Sequence, residues 1–152
     1  MLCCFLKYLT NFRMEKMNKD LRSFIGEARQ LGSDFFANIS KPIDPIFEPC
    51  VIQQKLAAQG LYPVIRCDKI NGSNLPLVTN LFGSYELLGL ALGVDPGEPK
   101  AAILRRFIER ENNPLPTESI SPKEAPVKQK VISGNAVNLN ELPIIQHAEK
   151  DS

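Results

Sequence analysis

The residues best suited to chemistry lie near the C-terminal end of the chain. Its single histidine, His147, precedes Glu149 and Asp151 in the run HAEKD. At alternate positions an imidazole and two carboxylates share one face of an extended strand, where they could approach a metal ion or a proton. Three ligands from one strand rarely fit a compact metal geometry, so the spacing favours a polar segment with a solvated imidazole. No other histidine exists to complete a site or a Ser/His or Cys/His pair, which argues against triad catalysis. The cysteines are Cys3, Cys4, Cys50 and Cys67. Only the first two are close in sequence, and they lack the two-residue spacer of a zinc knuckle or redox pair. Cys50 falls in a helical pattern and Cys67 in a strand-like run, where a free thiol packs as a small hydrophobe. This usage fits a reducing, cytoplasmic compartment.

Three further groupings have both a chemical and a structural explanation. Gly83 and Ser84 open a helix, whose free N–H groups can cradle an anion, but a capping serine accounts for the pair and no phosphate-loop pattern surrounds it. Asp44 and Glu48 are four apart like a carboxylate pair. With Pro45 between them they suit an N-cap and a first-turn acid. Arg105, Arg106 and Arg110 interleave with Glu109 and Glu111, the pattern of a solvated helix face rather than of a phosphate site.

The elements that must position these residues follow from periodicity. A first helix starts at Asp20 as N-cap, carries Leu21, Phe24, Ile25, Ala28 and Leu31 on one face, and stops at Gly32. Residues 34–39 read as a short strand. Residues 41–49 hold three prolines and read as a fixed connection. A second helix spans about 47–59, with Val51, Ile52 and Leu56 inward and Gly60 ending it. Residues 63–70 suit a strand, Asn71-Gly72-Ser73-Asn74 a tight turn, and 77–81 a further strand. Ser84 caps a third helix over 85–92, closed by Gly93. Pro99 starts a fourth helix to about Glu111, carrying Ile103, Leu104, Phe107 and Ile108. Residues 112–126, with four prolines among polar residues, read as a linker. Residues 127–132 then alternate like a strand, 133–135 turn, and 138–142 form one helical turn before Pro143.

Composition bounds the answer from outside. The 152 residues suffice for one domain with a real core, and 43% apolar with 23% charged residues is the globular average. Lys plus Arg (18) nearly cancels Asp plus Glu (17), leaving +1, which excludes a dedicated nucleic-acid binder. Residues 1–19 read as an appended extension, with Met14 or Met17 as a natural beginning. Leu2, Phe5, Leu6, Leu9 and Phe12 share a helical face with Lys7 nearby, so a membrane-surface segment is the alternative. The stretch is too short to span a bilayer.

Several segments, in order, resemble the N-terminal part of the UbiD family of aromatic-acid decarboxylases. They are Asp20-Leu21-Arg22-Ser23-Phe24; Pro42-Ile43-Asp44-Pro45 with Glu48; Asn71-Gly72-Ser73-Asn74-Leu75-Pro76; Thr79-Asn80-Leu81-Phe82-Gly83-Ser84; and Leu90-Ala91-Leu92-Gly93. Ala125-Pro126-Val127, Leu142-Pro143-Ile144 and the HAEKD run resemble the entry to the family's cofactor domain. His147 and Glu149 are similar to the branch acting on hydroxybenzoates and other phenolic acids, rather than to the ubiquinone-synthesis branch.

The resemblance implies a small mixed α/β (α+β) domain over 20–111, a linker over 112–126, and the first strand or strands of a split β-barrel cofactor domain over 127–152. It also implies reversible, non-oxidative decarboxylation on prenylated FMN, with a divalent metal (Mn or Mg) and potassium. The family's Glu–Arg–Glu constellation and its cofactor ligands are expected beyond Ser152. No residue of this chain is therefore assigned a catalytic, cofactor-binding or metal-binding role, and the chain alone is expected to be inactive. A homo-oligomer is expected only with the C-terminal domain. The alternative is an inactive interaction module that docks onto a full-length homologue through strand edges left open after Val127.

Overall fold

The computed structural model describes residues 20–151, so the expectations for residues 1–19, including Cys3 and Cys4, lie outside the described residues. The described chain runs α1 (Leu21–Gln30), β1 (Phe36–Ile43), α2 (Glu48–Ala57), β2 (Val64–Ile70), β3 (Leu77–Thr79), α3 (Tyr85–Leu92) and α4 (Lys100–Asn112). Short 3-10 turns follow at Pro126–Lys128, Gly134–Ala136 and Leu139–Glu141. The sheet order is β1-β2-β3. β1 and β2 pair in parallel, joined across one face by α2, while β2 and β3 pair antiparallel through the Asn71–Asn74 turn. This is the mixed α/β fold that the sequence implies.

β2 holds the two sides together. Val64, Ile65 and Cys67 are each fully buried, as expected of a central strand covered on both faces. Alternation divides its side chains between two cores. Val64 packs with Ala28, Phe36 and Leu87 beneath α1 and α3, while Ile65 and Cys67 pack with Ile43 and Ile70 beneath Ile52 and Leu56 of α2. Burial pushes the Cys67 thiol up, which makes it an inert packing group.

β1 runs through Lys41 and Pro42 to Ile43, which corrects the expectation of a fixed connection from residue 41. β1 is an edge strand, so Pro42 can spare its missing N–H, and the pairing register shifts between Ile39 and Pro42. β3 ends two residues early, because Asn80 takes a left-handed conformation (φ 57°). Asn80 then ties the corner together. Its side-chain amide donates to the Pro63 carbonyl at 2.8 Å, and its carbonyl oxygen accepts from Gln53 at 3.3 Å. Gly83 sits hard against this corner: a Cβ there would lie 2.4 Å from Asn80 Nδ2 and 2.7 Å from the Tyr62 carbonyl oxygen.

The helix ends follow local chemistry. Asp20 and Ser23 form a capping box at α1, with the Ser23 N–H donating to Asp20 Oδ1 at 2.7 Å. Ser84 caps α3 and Gly93 closes it in the left-handed conformation (φ 71°). Asp44 does not cap α2, contrary to expectation. Phe47 occupies the cap position with φ 63°, and Asp44 folds one turn earlier, its Oδ1 accepting from the Ile46 N–H at 2.8 Å. Val51 faces outward, since only Ile52 and Leu56 reach the sheet. α4 is anchored through Ile103 against α3, while Leu104, Phe107 and Ile108 are exposed.

Beyond α4 the expected strand at 127–132 does not form. Pro126–Lys128 is a 3-10 turn, and Val127 and Val131 are 87% and 75% exposed. A strand exists only through its ladder, and no described strand presents an edge to this segment. Strand residues 38, 40, 66 and 68 meet instead on an open part of the sheet. Asn38 donates to Asp68 Oδ2 at 2.7 Å, and Arg66 Nε pairs with Asp68 Oδ1 at 2.9 Å. The Asn38 hydrogen bond and Arg66 hold the Asp68 carboxyl below its ordinary value of 3.8.

Two outcomes follow from this packing. Gly83→Ala should destabilise the domain by about 1–3 kcal/mol through overpacking against backbone, visible as a lower denaturation midpoint; an unchanged midpoint contradicts the corner as described. A depressed carboxyl contributes stability above its unfolded value that is lost as pH falls through the folded one. The Tm deficit of Asp68→Asn should therefore be present at neutral pH and shrink as pH falls below 3.8. A deficit independent of pH would contradict this origin.

Candidate functional site

β1 and β2 run in parallel, so their carboxyl ends open on the same side. Crevices outside such strand ends are where open α/β sheets bind ligands. Here the loop after β1 (residues 44–48) and the turn after β2 (residues 71–74) form the rim. The segment 139–151 returns across it. Ile46 and Gln146 form a parallel bridge, with the Phe47 N–H donating to the Gln146 carbonyl at 3.0 Å and the Gln146 N–H to the Pro45 carbonyl at 3.2 Å. Ser73 Oγ donates to the Glu141 carbonyl at 2.6 Å. Under this strap lies a cavity of about 210 Å³ lined by Pro45, Asn71, Gly72, Leu139, Leu142 and Ile144, among others.

The acidic residues of this junction spend their oxygens on backbone amides. The Asp44 N–H donates to Glu48 Oε2 at 2.7 Å, reciprocating the turn that Asp44 closes onto Ile46. The His147 and Ala148 N–H groups both donate to Asp151 Oδ2, at 2.8 and 2.9 Å. His147 and Asp151 are thus brought together through the loop backbone rather than as metal ligands, while Glu149 points to solvent-exposed surface. Among the described residues no three His, Cys, Asp or Glu side chains converge as a metal set.

The structure does make a pairing that sequence spacing could not show. His147 Nδ1 lies 2.9 Å from Cys50 Sγ, across 97 residues of chain. The only sequence signals were separate ones: Cys50 two residues after Glu48, and His147 opening the HAEKD run. The other candidates stay structural. Ser84 is occupied as a cap, with Leu87 N–H donating to its Oγ at 3.3 Å. Arg106 pairs with Glu109 at 3.2 Å, and Arg105 and Arg110 are exposed on α4.

The cavities do not fit prenylated FMN. The one under the strap carries no cationic residue for a phosphate, and its volume falls below the roughly 300–1,000 Å³ of small-molecule sites. A second, between α3 and α4, has Lys100 in its wall beside Glu86, Asp95 and Glu98, but holds only about 30 Å³.

Comparison with known proteins bears on the same elements. Residues 36–110 match the sequence family described as the 3-octaprenyl-4-hydroxybenzoate carboxy-lyase N-terminal domain. A phenolic acid decarboxylase of Sedimentibacter hydroxybenzoicus is 30% identical over 143 residues, covering 91% of this chain and 29% of the relative. The vanillic acid decarboxylase structure of that organism in closed form superposes with a TM-score of 0.76 at 28% identity, over 89% of this chain and 28% of that one. The UbiD-class enzyme HmfF of Pelotomaculum thermopropionicum, in an evolved dimeric form in complex with prFMN, gives a TM-score of 0.69 at 28% identity, over 84% and 28%. The chain therefore spans less than a third of the relatives it matches. A βαβ unit with an antiparallel third strand, the ordered motifs that cap it, and these matches place the chain in the UbiD family, as a portion corresponding to the N-terminal part of its enzymes.

Proposed function

We propose that this chain is the N-terminal α/β unit of a carboxy-lyase that reversibly and non-oxidatively decarboxylates hydroxybenzoate-type aromatic acids. The chemistry belongs to the whole protein, on prenylated FMN with a divalent metal and potassium. The chain alone does not catalyse it. The observation that carries this reading is the superposition on the vanillic acid decarboxylase over 89% of the chain, together with the 30% identity to a phenolic acid decarboxylase.

In this reading the domain's contribution is architectural. It presents a rigid sheet whose strand ends are strapped by 139–151, and it orders the chain that leads onward to the cofactor domain. A cytoplasmic enzyme that assembles through its C-terminal domain completes the proposal; no helix among the described residues is long and apolar enough to cross a membrane.

One observation favours a second reading, an inactive module that docks onto a full-length homologue. Leu115, Val127, Val131, Leu139 and Ile144 are 90%, 87%, 75%, 63% and 66% exposed, apolar side chains that a partner would cover. In the first reading the same side chains are covered by the rest of the enzyme.

The purified chain, supplied with prenylated FMN, Mn²⁺, K⁺ and 4-hydroxybenzoate, should release no CO₂ above the protein-free control. CO₂ release would contradict the division between this domain and the catalytic one. Co-expression with a tagged full-length homologue separates the two readings, since stable co-purification is expected only of the docking module.

A further inference from the structure

The Cys50–His147 contact is used by neither the fold's core nor the proposed reaction. Cys50 is half-buried in the first turn of α2. His147 is exposed, and its Nδ1 stands 2.9 Å from the sulfur. With the proton on Nε2, Nδ1 accepts the thiol proton. A direct sulfur–nitrogen contact of this length leaves no room for a bridging metal, whose Zn–S and Zn–N bonds of about 2.3 and 2.0 Å would hold the two atoms farther apart. The backbone that carries the imidazole is fixed by Asp151, whose Oδ2 accepts from the N–H groups of His147 and Ala148. Glu48, the nearby negative charge on the same helical turn, is engaged with the Asp44 N–H.

We propose that Cys50 and His147 form a thiol–imidazole pair that makes Cys50 a modification site for soft carbon electrophiles, and that modification there unfastens the 139–151 strap. In the reaction the thiol proton passes to His147 Nδ1. The sulfur electron pair forms a bond to the electrophilic carbon, and the leaving group departs with the electrons of the bond it breaks. The added group then occupies the space through which the sulfur met the imidazole. Among the described residues the rest of the strap's fastening is the Ile46–Gln146 bridge, the Ser73–Glu141 hydrogen bond and the cavity wall that Leu139, Leu142 and Ile144 share with Pro45 and Gly72. Cys67 provides the internal contrast, being fully buried in β2 with its thiol pushed up by burial.

The test uses the full chain and iodoacetamide, with the modified cysteines resolved by peptide mass spectrometry. Cys50 should be alkylated while Cys67 stays protected, and His147→Ala should slow Cys50 alkylation about a hundredfold, the lower end of what a positioned base supplies. An equal or faster rate in His147→Ala, with Cys67 still protected, overturns the activating role of the imidazole. Amide exchange of the Phe47 and Gln146 N–H groups should accelerate after alkylation of the unsubstituted chain. Unchanged exchange overturns the unfastening. Should His147→Ala expose Cys67 by unfolding, His147→Gln serves in its place, and the exchange measurement on the unsubstituted chain decides independently.

Discussion

Burial of β2 on both faces is the constraint on which the rest of this structure depends. A strand that shows Val64 to one core and Ile65 and Cys67 to the other needs helices on both sides. The chain meets that need in the shortest available way. α2 crosses over one face in making the parallel β1–β2 connection, and α1 and α3 close the other. Each full side chain removed from water is worth about 1.5–3 kcal/mol. Three helices are thus recruited around a single seven-residue strand.

A second regularity concerns where the acidic groups go. Asp20, Asp44, Glu48 and Asp151 each belong to a segment that resembles a UbiD motif, and each accepts from one or more backbone N–H groups. These carboxylates hold turns and helix starts. Glycine and asparagine in the Asn80–Gly83 corner do the same by conformation, one taking the left-handed region and the other leaving room that a Cβ would fill. Motifs of this kind are informative about family because they fix geometry.

Much of this was legible in the sequence, where the signal is local. The Asp20 and Ser84 caps, the Gly93 stop, the turn at 71–74 and the strand at 63–70 all follow from residue type within one or two turns of chain. The failures are tertiary. Val127–Ile132 alternates well enough, but a strand needs an edge to pair with, and this segment pairs with neither edge of the β1-β2-β3 sheet. Leu104, Phe107 and Ile108 have helical periodicity, yet only Ile103 meets a partner. Phe47 displaced Asp44 from the cap because the β1–α2 loop is also pulled by Gln146, a hundred residues onward. The Cys50–His147 pairing had no local signal at all, since it exists only once the strap crosses the strand ends.

The central claim is that this domain frames an enzyme whose cofactor chemistry lies outside it. Titration of the purified chain with FMN, followed by flavin fluorescence, tests this most directly. The account predicts no saturable change, because the cavity under the strap has no cation for a flavin phosphate and the one beside Lys100 holds only about 30 Å³. A saturable quench with one site per chain would contradict it and place a cofactor site within these residues.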